Sequence, residues 1–443
     1  MAPLAALLLS FLPICAHSQE KPKTPPEPPI PAKKWLTGPD HSDFPAEFKC
    51  LPPRLTFQQL HLVECRVSIS GEVARGRELH IWLKVANNSG EWIPGAAHTG
   101  GMASPNLTKR NEFQFVGGFY ANPGQYTAAI IIFDPKSHQY DVHHMPITVK
   151  PIENDPLAER VESTSPAVEF LEDSPPGTES FTKISDVNRD APDSLWPFAH
   201  RLDTFPLKST RPIQLDVVLN LSDIGEAFEI PQIIPRMRRS MTIDPRMLPS
   251  PPSPSNVQKH QKEYIGALLA VAQVLASVHP SNGCVRISTI DMLNMDNPIR
   301  RAKPESLDWE SIRSNRTSAK LAEVSVNALK NRKEQPTFIR DFLTSLQLPI
   351  ENCGSGSDPM HAVILVSHSY VFPSGSHKHS FKFPDSPSLR YYDYLLRVGS
   401  EHVYDDLGSY LKSAGAKSHD VYTPRDLRET LAHTLNDITR PSK

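Results

Sequence analysis

The residues best placed to do chemistry follow the most apolar run of the chain, Ile213-Gln-Leu-Asp-Val-Val-Leu-Asn-Leu-Ser-Asp-Ile-Gly-Glu226. The run reads as a buried strand that stops at oxygen-bearing side chains, Asn220, Ser222, Asp223 and Glu226. In open α/β sheets, ligands gather beyond the carboxyl ends of such strands. Oxygens clustered there could hold a small hard cation or a polar ligand. A second group lies in Ser367-His-Ser-Tyr-Val-Phe-Pro-Ser-Gly-Ser-His-Lys-His-Ser380. His377 and His379 sit two apart and share a face if the segment is extended. Two imidazoles are too few for a structural zinc site unless His368 joins them. The Ser, Gly, Lys and Pro around them read as a solvated surface loop. His143-His144 falls in a β-rich segment, where adjacent side chains point to opposite faces, so joint ligation is not expected.

Hydrolytic and nucleotide-binding motifs are missing. No G-x-S-x-G nucleophile elbow occurs. Cys353-Gly-Ser-Gly-Ser357 is glycine-rich but precedes a strand and lacks the GK[ST] of a phosphate loop. No Rossmann GxGxxG is present. The basic run Arg236-Met-Arg-Arg-Ser240 reads as a solvated cluster. The chain is therefore expected to be non-catalytic and to need no cofactor.

Charge and cysteine usage bound the class further. With 47 basic and 49 acidic residues, nothing suggests nucleic acid or an anionic membrane as partner. Leu4–Ile14 is apolar but too short to span a bilayer. Ala16-His17-Ser18 is an acceptable cleavage site, so residues 1–18 read as a signal peptide, with Cys15 raising a lipoprotein alternative. No later segment is long and apolar enough to cross a membrane. The mature chain is expected to be exported, periplasmic or extracellular. That compartment permits disulfides among Cys50, Cys65, Cys284 and Cys353. A Cys50–Cys65 bridge would stabilise by about 3 kcal/mol on the loop-entropy model. Cys284 and Cys353 could bridge if the strands they precede flank Leu215–Leu221. The alternative is four free thiols.

These residues must be positioned by a multidomain chain. Its 44 prolines, roughly twice average usage, concentrate in segments that read as linkers. Residues 19–46 are a proline-rich disordered linker. Residues 47–151 show short strand candidates at Glu64–Ser70, Glu78–Ala86, Glu112–Phe119, Gly124–Asp134 and Met145–Lys150, separated by turn signals. Residues 152–208 read as a second linker. From 209 to 441 strands alternate with helices, which predicts an α/β doubly wound parallel sheet. The strands are Leu215–Leu221, Cys284–Ile290, Ala362–Ser367 and Ser418–Tyr422, with Tyr391–Arg397 either a strand or the start of a helix. The helices are Val257–Val278, Ala319–Arg332, Thr337–Leu346, Asp405–Ala414 and Pro424–Arg440.

Two family resemblances follow from these residues. Phe119-Tyr-Ala-Asn-Pro-Gly-Gln-Tyr126 resembles the hairpin of immunoglobulin-like and fibronectin-like modules, which implies an all-β immunoglobulin-like sandwich and a core role for Tyr126. Val217–Gly225, the helix around 257–278, Val285–Ile290, Ala362–His368 and the closing helix to Ile438 resemble a von Willebrand factor type A (VWA) domain. The layout resembles exported bacterial VWFA-related proteins. In that family a DxSxS loop, a threonine and a later aspartate hold Mg²⁺ at a metal-ion-dependent adhesion site. Here Asn220 stands for the first aspartate, Ser222 for the first serine and Ile224 for the second. Ser367 and His368 stand where the later aspartate belongs. The replacements remove charge and an oxygen, which implies a degenerate site with no metal, although Asp223, Glu226 and Asp291 could compensate. The resemblance thus implies an adhesion-type module that binds a protein partner. The alternatives are a metal-dependent hydrolase using the histidine loop, or an accessory subunit of a cell-envelope complex.

Overall fold

The structure, a computed structural model, describes residues 32–163, 166–171, 198–222, 254–318, 334–356, 359–370, 372, 381–384, 386–397 and 405–440. Helix α1 (Ala32–Thr37) leads into β1 (His41–Ser42), β2 (Ala46–Cys50), β3 (Arg54–Leu55) and β4 (His61–Ser70). After α2 (Gly71–Ala74) come β5 (Glu78–Asn87), β6 (Ala97–Met102), β7 (Glu112–Ala121), β8 (Gly124–Asp134), β9 (Gln139–Val149) and β10 (Val168–Phe170). They form two antiparallel sheets, β1-β9-β8-β5-β6 and β10-β7-β4-β2, with β3 beside β4. Period-2 alternation sends Leu79, Ile81, Leu83 and Val85 of β5 into a core shared with Val63, Val67 and Ile69 of β4. Their neighbours His80, Trp82 and Lys84 take the outer face. Trp35 of α1 covers part of that face, stacking on Tyr140 at 4.5 Å.

The second half opens with β11 (Phe205–Leu207) and β12 (Ile213–Asn220), followed by α3 (Pro254–Ala276), β13 (Val278–Pro280) and β14 (Gly283–Ile290). It continues with α4 (Trp309–Ser318), α5 (Gln335–Ser345), β15 (Met360–His368), β16 (Leu389–Leu396), α6 (Asp406–Ala414), β17 (Lys417–Val421) and α7 (Pro424–Thr439). Five strands pair in parallel in the order β14-β12-β15-β16-β17. Every residue of β12 and β15 is buried, as expected of strands covered on both faces. Leu215, Val217, Leu219 and Ile364 pack with Leu268, Leu269 and Leu275 of α3 and Leu431 of α7. On the other face Val218, Val363 and Leu365 meet Ile339 and Phe342 of α5 and Leu407 and Leu411 of α6. The two ends of α6 are fixed by Asp405, which accepts from Gly408 N at 3.0 Å, and by Gly415 in the left-handed region at φ 105°. Thr423 and Asp426 form a reciprocal capping box at the start of α7, with Pro424 in its first turn.

The expected fold class is corrected by this arrangement. Among the described residues 17 strands stand against seven helices, and the first ten strands lie in antiparallel sheets. A doubly wound Rossmann-type domain would place a helix at each crossover. The step from β15 to β16, residues 369–388, contains no helix among its described residues. Pro384 and Pro387 stand in this step and disfavour a helix interior there. Apolar runs marked the buried strands but carried no information about what fills the connections. Of the two alternatives at Tyr391–Arg397 the strand forms, as Leu389–Leu396. Two segments depart from the sequence reading. β9 starts at Gln139 rather than Met145, because a turn at Asp134 sends the chain straight back into the sheet. The second linker contributes β10 to the antiparallel sheet and β11 to a small parallel pair with β13.

Both disulfides form, Cys50–Cys65 and Cys284–Cys353. Cys50 and Cys65 are direct partners across β2 and β4. Cys284 lies on β14 and Cys353 just before β15, the two strands that flank β12. The halves are joined by polar contacts. Arg428 of α7 grips Asp155 at 2.5 and 2.7 Å, and Gln58 Nε2 donates to Gln273 Oε1 at 2.8 Å. Tyr126 is structural, buried in the sandwich core with its hydroxyl 2.9 Å from Asn122 O. The signal segment 1–18, most of the first linker, the helix expected at 319–332 and the basic run at 236–240 lie outside the described residues.

Candidate binding site at the carboxyl edge of the parallel sheet

β12 ends at Asn220 and β15 at His368, and parallel pairing in register brings both ends to one edge. Asn220 Oδ1 accepts from the Ser222 hydroxyl at 2.5 Å and from Ser222 N at 3.2 Å. The same hydroxyl oxygen accepts from Met292 N at 2.6 Å. His368 Nε2 lies 3.0 Å from Ser222 O, and Nδ1 lies 2.7 Å from Ser369 O. Tyr264 of α3 meets the His368 ring edge-on at 6.1 Å. Asn220, Ser222 and His368 are therefore brought together, each less than 3% exposed. Ser367 is not part of this group. Strand alternation turns it to the opposite face, where its hydroxyl approaches Asp393 at 3.5 Å. Asp291 caps its own turn, accepting from Leu293 N and Asn294 N at 3.0 and 3.2 Å. Asp223, Ile224, Glu226, His377 and His379 lie outside the described residues.

The donors among the described residues do not fit a small hard cation. Such an ion needs several converging oxygens, carboxylates among them. Here Asn220 Oδ1 and the Ser222 hydroxyl are committed to one another and to the Met292 amide. Asn220 Nδ2 is buried without a hydrogen-bond partner, and it is a donor, which a cation would repel. Both ring nitrogens of His368 face carbonyl oxygens rather than the loop oxygens. Among the described residues no three His, Cys, Asp or Glu side chains gather into a metal-binding group.

Beneath this edge lie two buried polar clusters that the sequence reading missed. Asp216, fully buried in β12, accepts from Arg301 Nε and Nη2 at 3.2 and 2.8 Å and lies 2.8 Å from His361 Nε2. Arg301 Nη2 also donates to the carbonyls of Leu346 and Leu348, so one guanidinium ties β12 to the end of α5. Asp393 is fully buried in β16. Burial, and then the neighbouring Asp405, push its carboxyl up to about 7. Burial likewise raises Asp405 to about 6, against the hydrogen bonds it accepts from Tyr370 N and Gly408 N. A signal for both clusters was available. Each has a single aspartate inside an apolar run, Leu215-Asp-Val-Val218 and Tyr391-Tyr-Asp-Tyr394. A charge in a strand covered on both faces must be paired or neutralised.

In the antiparallel half His143 and His144 pack against different partners, Phe48 and Trp92, yet both imidazoles reach one carboxylate: His143 Nδ1 lies 3.0 Å from Asp40 Oδ2 and His144 Nδ1 lies 2.8 Å from Asp40 Oδ1. Asp40 immediately precedes β1, the edge strand paired with β9, and that position lets side chains from both faces close on it. Partial burial works in the other direction, but the hydrogen bonds from His144 hold the Asp40 carboxyl below its ordinary range.

No protein-family model matches the chain, and none of the curated proteins matches it. Solved structures similar to it include a structural-genomics target at 12% identity and TM-score 0.13, covering 25% of this chain and 84% of that one. A β-glucuronidase of Bacteroides uniformis aligns at 7% identity and TM-score 0.19, covering 83% of this chain. The chain spans 37% of the length of that enzyme. A family 123 glycoside hydrolase from Clostridium perfringens aligns at 9% identity and TM-score 0.21, over 85% of this chain and 72% of that one. Likeness at these scores carries no argument about fold or activity.

Proposed function

We propose that this protein is an exported, non-catalytic module that binds a protein partner and works without a divalent metal at the carboxyl edge of its parallel sheet. The observation that supports this is the closed chain of hydrogen bonds Asn220–Ser222–Met292. Among the described residues, Asn220, Ser222 and Asp291, which could have served as ligands, are buried and spent on holding their own turns. The two disulfides are compatible with an oxidising compartment, and among the described residues no helix is long and apolar enough to cross a membrane. Calorimetric titration with Mg²⁺, Mn²⁺ and Zn²⁺, together with crosslinking on intact cells, tests the reading. The expected result is no saturable heat with Mg²⁺ or Mn²⁺, and a protein partner recovered at the cell envelope. Saturable Mg²⁺ binding lost in Ser222→Ala would overturn it. So would tight Zn²⁺ binding lost in His377→Ala, which would point to the hydrolase alternative.

A further inference from the structure

We propose that His80 and His98, on the outer face of the antiparallel sheet, form a surface site for a borderline transition-metal dication such as Cu²⁺ or Zn²⁺. His80 is on β5 and His98 on its neighbour β6, and the two rings lie almost parallel, at 8°. His80 Nδ1 and His98 Nε2 face each other at 3.4 Å. Without an ion the two imidazoles share one proton in a hydrogen bond at that distance. The same spacing matches a shared metal. Two nitrogens each about 2.0–2.1 Å from a tetrahedral zinc lie about 3.3–3.4 Å apart. Imidazole also suits this class of ion and not Mg²⁺.

Three neighbours favour ligation over a chance approach. Glu78 Oε1 lies 3.5 Å from His80 Nε2, the nitrogen that faces away from His98. A carboxylate there selects the tautomer with its proton on Nε2, which turns the Nδ1 lone pair toward His98. Gly100, paired with His80 across the strands, lets the ring lie close against β6, since a Cβ at this position would fall 2.5 Å from His80 Nδ1. Trp82 packs under both rings, 4.8 Å from His98 and 5.7 Å from His80, and fixes their spacing. Lys136, 3.9 Å from the other oxygen of Glu78, is a nearby positive charge and partly offsets that carboxylate. With two protein ligands, the remaining coordination positions belong to water.

Trp82 gives the readout. Titration of the full chain with CuCl₂ in a non-chelating buffer at neutral pH should quench tryptophan fluorescence saturably at one equivalent. The quench should be lost in His98→Ala and in His80→Ala, weakened about tenfold in affinity in Glu78→Gln, and unchanged in the double variant His377→Ala/His379→Ala. In Trp82→Phe the optical signal should vanish while calorimetric binding persists. Far-ultraviolet circular dichroism confirms that each variant is folded. A quench that survives in folded His98→Ala, or that requires His377 and His379 instead, overturns the proposal. So does the absence of saturation in the wild-type protein.

Discussion

The two halves of the molecule treat polar side chains in opposite ways. In the antiparallel half, period-2 alternation places one side-chain set in the core and the other on an outer face. Asp40, His80, His98 and His144 sit on or beside that face, with His143 reaching Asp40 from the other side, all partly exposed and paired with one another. In the parallel half the central strands are covered on both faces, so Asp216, Asn220, Ser367, His368 and Asp393 are all buried and must find partners inside. Among the described residues, the polar clusters singled out in the sandwich meet solvent and those inside the parallel sheet do not. The polar residues of the parallel sheet serve its register and stability.

Breaking a buried pair in the parallel half should have the largest effect. Arg301→Ala leaves Asp216 with only His361 and should cost about 3–5 kcal/mol in denaturant unfolding. An equivalent change in the sandwich, Lys136→Ala, removes an exposed pair with Glu78 and should cost about 0–1 kcal/mol. A loss below about 1 kcal/mol for Arg301→Ala would erase the distinction between the halves. Replacing both Cys284 and Cys353 by serine opens a bridge spanning 69 residues and should lower stability by about 4 kcal/mol on the loop-entropy model.

The buried acid of β16 sharpens the comparison through pH. Asp393 titrates at about 7 in the folded protein and near its ordinary 3.8 when unfolded. Between those values the folded state holds a proton that the unfolded state has released. Its contribution is therefore fully present below about pH 4 and falls as pH rises toward 7, by an amount on the order of 3 kcal/mol. Asp393→Asn should flatten that slope and exceed the wild-type protein in stability at pH 8. Unfolding midpoints measured from pH 4 to 8 check it, and an unchanged slope contradicts it. The smallest effect is expected at the start of α7, where Thr423→Ala removes a capping hydroxyl and should cost about 1 kcal/mol.

Much of this was legible in the chain. The apolar run at Ile213 marked a buried parallel strand, and its end marked the edge where Asn220, Ser222 and His368 meet. The alternation in Glu78–Ala86 marked the sandwich face, and the positions of Cys284 and Cys353 pointed to their bridge. What escaped had physical causes. Periodicity does not reveal what fills a connection: the doubly wound reading implied a helix at each crossover, and the step from β15 to β16 has none among its described residues. Alternation within one strand does not show what approaches from the next, which is how Asp40 came to meet both His143 and His144. Asp216 and Asp393 were read through as part of apolar runs, although a buried charge requires a partner that only the tertiary structure supplies.

The central claim is that the carboxyl edge is closed by its own hydrogen bonds. Hydrogen exchange at the Met292 amide, which donates to the Ser222 hydroxyl, tests it most directly. The account predicts strong protection in the wild-type protein, unchanged by added Mg²⁺, and faster exchange in Ser222→Ala. An unprotected Met292 amide, or protection that appears only with Mg²⁺, would contradict it.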